Sequence, residues 1–194
     1  MHITGKYAFD KDVILDKSYD LLCTFFANKE IAFRSNPDDP NAPLIALEQR
    51  FFESKVTRLL IEIATLLRVM DDQIQNLPGN DPKKGTYYNV LVAINQTEFG
   101  LFQDEQWKFR DICNKIIHSD TFLPSFRDAD EGHSTDYAYN EGYDEKSVNW
   151  KHFSGYVRLA GKEFKNDWNI LLDIEAFIIA IQRLMSGIKW PTQW

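Results

Sequence analysis

Arg110, Asn114 and His118 follow one another at steps of four residues. On a helix each such step rises by about 6 Å and drifts by about 40°. The three polar side chains therefore form a ridge, in which Asn114 reaches His118 directly and Arg110 reaches back along the helix. Residues of these types suit proton exchange at a phosphodiester. A histidine with an unperturbed pKa of about 6.5 can take a proton from one oxygen and return it to another at neutral pH. Ribonucleotide cleavage without a metal needs that exchange, because the 2′-hydroxyl loses a proton while the 5′-oxygen gains one. It also needs a cation at the phosphoryl oxygens, which the planar, permanently charged fork of an arginine supplies. In this assignment His118 transfers the proton, Asn114 orients it or the phosphate, and Arg110 supplies positive charge, with Lys115 a second candidate for phosphate binding. The competing assignment is structural. A histidine at a helix end satisfies the last free carbonyls and interacts with the macrodipole, Asn114 serves local hydrogen bonding, and Arg110 pairs with an acid.

The ridge belongs to the stretch Trp107 to Asp120, in which Phe109, Ile112, Cys113, Ile116 and Ile117 recur at helical spacing and predict a helix with that face buried. Its start is expected near Asp104. Within it, Cys113-Asn114-Lys115-Ile116-Ile117-His118 resembles the Arg-Asn-x-x-x-His signature of the HEPN superfamily. These are small all-α proteins that include many metal-independent ribonucleases of toxin, antiphage and RNA-processing systems. Asn114 and His118 stand where the family has its asparagine and histidine; Cys113 stands at the arginine position, and Arg110 lies one turn earlier. The resemblance implies an all-α fold and a site formed with a symmetry mate across a dimer cleft.

A chain of 194 residues is long enough for one full core and short for two domains, so residues 1–194 are expected to form a single domain. Five Trp and fourteen Phe supply a packed interior. Cys23 and Cys113 both lie in apolar helical patterns, which predicts buried thiols in a reducing cytoplasm and not a disulfide. Met1 to Lys6 lacks the apolar run of a secretion signal, and no segment reaches the ~18 apolar residues of a membrane span. A cytoplasmic protein that does not contact a membrane is the expectation. The net charge of −7 is concentrated: Asp120 to Lys146 holds eight acidic and two basic residues, and the rest is close to neutral, with 21 acidic and 20 basic. A local basic cleft is therefore compatible with the composition.

Along the chain, Ser18 is expected to cap a helix to about Ser35 that buries Leu21, Leu22, Phe25, Phe26 and Phe33. Asn36 to Pro43, with three prolines, breaks it. Phe52, Val56, Leu59, Ile63, Leu66, Met70, Ile74 and Leu77 then predict a long helix over about Leu44 to Asn76. Tyr87 to Ile94 reads as a short helix. Residues 120–147, with two Gly and many Asp, read as a solvated acidic loop, without the ligand ladder of a calcium site. From Trp150 the period changes to two: Phe153, Gly155, Val157 and Leu159 alternate with His152, Ser154, Tyr156 and Arg158, so a β-hairpin turning at Ala160-Gly161-Lys162 is expected near residues 150–165. A last, almost wholly apolar helix is expected from about Asp167.

Several sites are excluded by spacing. Gly79…Gly85-Thr86 has no Lys before the Thr, as a phosphate loop requires. No His/Cys/Asp set has zinc spacing, and Cys113 lies about 140° from His118 around the helix, so the pair is no nucleophile and base. Trp107 and Trp168 are expected as core or interface aromatics. No cofactor, metal or DNA-binding motif is read. The expectation is a mainly α fold, a helical bundle with a small β-hairpin, forming a homodimer through its long and its last helix. Two functions stay open: a HEPN-like module, catalytically weak or silent, that binds a protein, RNA or nucleotide partner; and a metal-independent endoribonuclease of toxin or defence type using His118, Asn114 and Arg110.

Overall fold

The computed structural model of the protein describes residues 10–35, 42–96, 98–102, 107–128, 151–163 and 166–188. Helix predominates. Helix α1 spans Lys11–Arg34, α2 Pro43–Gln75, α3 Pro82–Ile94, α4 Phe109–Ile117 and α5 Ile174–Gly187. Strands β1 (Gly100–Phe102), β2 (Thr121–Asp128), β3 (Lys151–Glu163) and β4 (Asn166–Asp173) form an antiparallel sheet in the order β1-β4-β3-β2.

The expected α2 is present within a residue at each end. Pro43 opens it, where the missing N–H costs nothing. Phe52, Val56, Leu59, Ile63, Met70 and Ile74 are all buried, so its regular apolar stripe forms the spine of the core. Helix α1 begins earlier than expected. Asp10 is its cap, accepting from Asp12 N at 2.9 Å, and Ser18 lies inside the helix with its hydroxyl donating to Ile14 O. Its buried face is also more polar than expected. Ser18, Leu21, Thr24 and Asn28 point inward, while Phe26 is exposed and Cys23 is not the buried thiol anticipated. Asn28 accounts for part of that polarity, since it accepts from Phe153 N at 2.5 Å and donates to Glu48 at 3.1 Å, joining α1, α2 and β3.

The sheet corrects the expectation that strand is confined to residues 150–165. The period-two alternation of β3 is real: Phe153, Gly155, Val157, Leu159 and Gly161 are buried on the helix-covered face, and Tyr156 and Arg158 are exposed on the other. His152, expected on the polar face, is buried. The chain does not turn at Ala160-Gly161-Lys162, because those residues continue the ladder to Asn169, Trp168 and Asp167. Residues 167–173, expected to open the last helix, belong to β4. The helix starts only at Ile174, with Asp173 as its cap accepting from Ala176 N at 3.0 Å. Residues 121–128 of the expected acidic loop form β2, an edge strand in which Pro124 is tolerated because one side needs no ladder N–H. Residues 129–147 of that loop lie outside the described residues. At the other edge Gly100 adopts φ +132°, and a Cβ there would lie 1.9 Å from Leu171 O, so only glycine lets β1 close against β4.

Among the described residues, no helix is long and apolar enough to cross a membrane.

Candidate functional site

Helix α4 is short, and its placement depends on its neighbours. Lys108 at its start offers no side-chain cap; instead Asn95, at the end of α3, accepts from Phe109 N at 2.8 Å. Phe109, Ile112, Cys113 and Ile116 are buried as the sequence predicts, and α4 packs on α2 through this face. Burial pushes the Cys113 thiol up to about 12, the pattern of an inert core thiol. The helix ends at His118, whose N–H bonds Asn114 O, and Asp120 N then donates to Ala160 O, which fastens this end to β3.

The structure divides the expected ridge. Arg110 turns toward α2, where it pairs with Asp71 and, at 2.9 Å, with Asp72. Arg68 contributes to the same cluster at 3.2 Å from Asp71 and 3.4 Å from Asp72. Tyr87 Oη and Gln75 Nε2 donate to Asp71 at 2.8 and 3.0 Å. Asp71 is 4% exposed, and a carboxylate so buried demands this number of donors. Burial, followed by the like charge of Arg68, lowers the pKa of Arg110.

Asn114, Lys115 and His118 turn the other way, into a cleft of about 580 Å³ between α4 and the β3–β4 hairpin. Trp107, Trp168 and Glu163 complete its walls, with Asp111, Asp120 and Lys162 around them. His118 is exposed and Asn114 half-buried, whereas Lys115 is buried. The Lys115 ammonium lies 4.7 Å from the ring centroid of Trp107 and 4.7 Å from that of Trp168, and 2.5 Å from Glu163 Oε2. Two π faces and one carboxylate together offset the loss of water around that charge. Lys115 holds the Glu163 carboxyl below the usual carboxylate range, against a smaller opposing effect of burial, with His118 adding least. No cluster of three or more His, Cys, Asp or Glu side chains suited to a metal ion occurs among the described residues.

Sequence reasoning placed Asn114, Lys115 and His118 on one helix and missed what faces them. Trp107 and Trp168 are half-buried, packed against the core on one side and forming walls of the cleft on the other. Trp168 depends on Gly161, its partner across the β3–β4 ladder: a Cβ at 161 would lie 2.5 Å from Trp168 Cζ2 and 3.0 Å from His118 O. The signal was a glycine at a core-facing position near the end of an alternating strand, which marks a close approach.

In comparisons with known proteins, the chain matches no family model, no curated protein and no solved structure.

Proposed function

We propose that the protein is a HEPN-like module that binds a nucleotide, free or within single-stranded RNA, in the cleft between α4 and the β3–β4 hairpin, without cleaving it. The cleft offers indole surface for a base, the Asn114 amide for a base edge or phosphate oxygen, and Lys115 and His118 for phosphate. The observation that carries the non-cleaving half is the orientation of Arg110. Its guanidinium is engaged by Asp71 and Asp72, away from Asn114 and His118, so among the described residues the cleft has no uncommitted arginine of the kind a phosphoryl transition state uses. The second reading is a metal-independent endoribonuclease of toxin or defence type. One observation favours it: Asn114, Lys115 and His118 share a single cleft. In that reading His118 moves the proton and Lys115 replaces Arg110 as the cation.

Calorimetric titration with a short single-stranded RNA and with a mononucleotide, beside incubation of varied RNAs in EDTA, separates these readings. The binding module gives heat of binding that weakens in Asn114→Ala and His118→Ala, and leaves the RNA intact. Cleavage to 2′,3′-cyclic phosphate ends, abolished by His118→Ala with a thermal midpoint within a few degrees of wild type, establishes the nuclease instead. Binding to neither ligand rejects the nucleotide class and leaves a protein partner.

The same reading has the protein as a cytoplasmic homodimer. Leu44, Leu47 and Phe51, spaced i, i+3, i+7 on the first turns of α2, are each at least half exposed and supply a helical contact face for a second copy. A concentration-independent monomer mass in sedimentation counts against that assembly.

A further inference from the structure

The two members of the Lys115–Glu163 pair differ sharply in exposure. The Lys115 side chain is 8% exposed, fixed between two indoles, while that of Glu163 is 62% exposed and reaches the ammonium from the last residue of β3. A buried ammonium requires a counter-charge. The indoles stabilise it through their π faces but carry no formal charge, so an anion must supply the rest from the open side of the cleft. Glu163 holds that position. The other charged groups around the cleft do not compete for it. Lys162 is turned to Asp167, 3.6 Å away, and Asp111 and Asp120 have no ion pair with Lys115.

We infer that Glu163 is a built-in competitor of the ligand: its carboxylate occupies the place on Lys115 that a ligand phosphate takes, and a phosphate-bearing ligand binds by displacing it. This rests on the nucleotide-binding reading above and adds the group that sets the affinity and selects for phosphate. A phosphate monoester brings about −1.5 to −2 charges and three acceptor oxygens against the single charge of a carboxylate. It can therefore satisfy Lys115 while also accepting from His118 and the Asn114 amide, whose side chains line the same cleft. Displacement loses little elsewhere, because Glu163 is mostly in water and screened there. The arrangement also disfavours ligands without an anionic group, since they leave Glu163 in place and gain only the remaining indole surface.

The test is calorimetric titration of wild type and Glu163→Gln with adenosine 5′-monophosphate and, separately, with adenosine. Removing the competing charge should tighten monophosphate binding by about tenfold or more and change adenosine binding by less than about twofold, since only the phosphate contends with the carboxylate. The thermal midpoint of unliganded Glu163→Gln should fall, since the buried Lys115 loses its counter-charge, and the monophosphate should raise it again by taking that place. Wild type that binds the monophosphate, with Glu163→Gln binding it equally or more weakly, overturns the competitor role and leaves the nucleotide reading standing. Equal tightening for both ligands also overturns it, because the effect would then not concern phosphate. If neither protein binds either ligand, and neither binds short RNA, the inference and the reading beneath it both fail.

Discussion

Arg110 on α4 donates to Asp72 on α2 across 2.9 Å, and its other arm meets the buried Asp71. A residue that sequence spacing placed beside His118 thus serves to bind two helices together. Arg110→Ala should therefore destabilise the fold by about 1–3 kcal/mol, the range for losing hydrogen bonds to a charged group when other donors remain. It should leave ligand affinity in the α4 cleft unchanged. Urea denaturation and titration of the same sample check both halves; loss of binding at full stability would return Arg110 to the site.

Asn28 offers a second test of a buried polar joint. Asn28→Ala removes the acceptor for Phe153 N–H, 125 residues away, and leaves that donor buried. A loss of about 1–3 kcal/mol is expected by denaturant unfolding. Hydrogen exchange should show that the Phe153 amide loses protection before those in the middle of α2.

The two thiols should separate cleanly. Cys23 is exposed and Cys113 is buried, so the native protein should react with one equivalent of a thiol reagent and the unfolded protein with two. The raised pKa of Cys113 has a stability consequence whose sign follows from proton counting. Between its ordinary value of 9.0 and its folded value of about 12, the unfolded chain has released a proton that the folded one keeps. Stability therefore falls as pH rises through that window, by at most about 1.4 kcal/mol per pH unit from this group. Burial raises Tyr87 too and steepens the upper part of the decline. Denaturation midpoints measured from pH 8 to 11 should show the decline, and Cys113→Ala should flatten its lower part.

Gly161→Ala places a methyl group 2.5 Å from Trp168 Cζ2, inside any permitted contact. The indole must shift and with it one face of the Lys115 site. Ligand affinity should drop and the near-ultraviolet circular dichroism of the tryptophans should change, while the far-ultraviolet spectrum stays close to wild type. An unaltered affinity would show that Trp168 does not shape the cleft.

What could be read from the chain depended on how repetitive its physical signal was. Helix α2 repeats its apolar spacing for many turns, so tertiary context had nothing to override. Strand β2 gave no such signal, since Thr121 to Asp128 carries a proline, sits at the border of an acidic stretch and gains its conformation from pairing with β3. The β4–α5 boundary was hidden for another reason. Ile170-Leu171-Leu172 is a short apolar run that fits strand or helix, and two aspartates, Asp167 and Asp173, offered equally good caps. In the site, the ridge spacing fixed which residues share a helix but not what lies opposite each one. The buried Asp71 on α2 drew Arg110 one way, and the hairpin with Glu163 and Trp168 drew Lys115 the other.

Asp173 ends β4, caps α5 and donates its own N–H to Phe99 O at 2.8 Å, so strand passes into helix with no intervening residue. Such a junction has no slack in length. One residue inserted after Asp173 would rotate α5 by about 100° relative to the sheet and carry Phe177, Ile181 and Leu184 out of the core together. Side chains on either side of the joint can vary by drift, but the count of residues between Trp168 and Phe177 is held fixed, and homologous chains should keep that interval even where little else in the sequence survives.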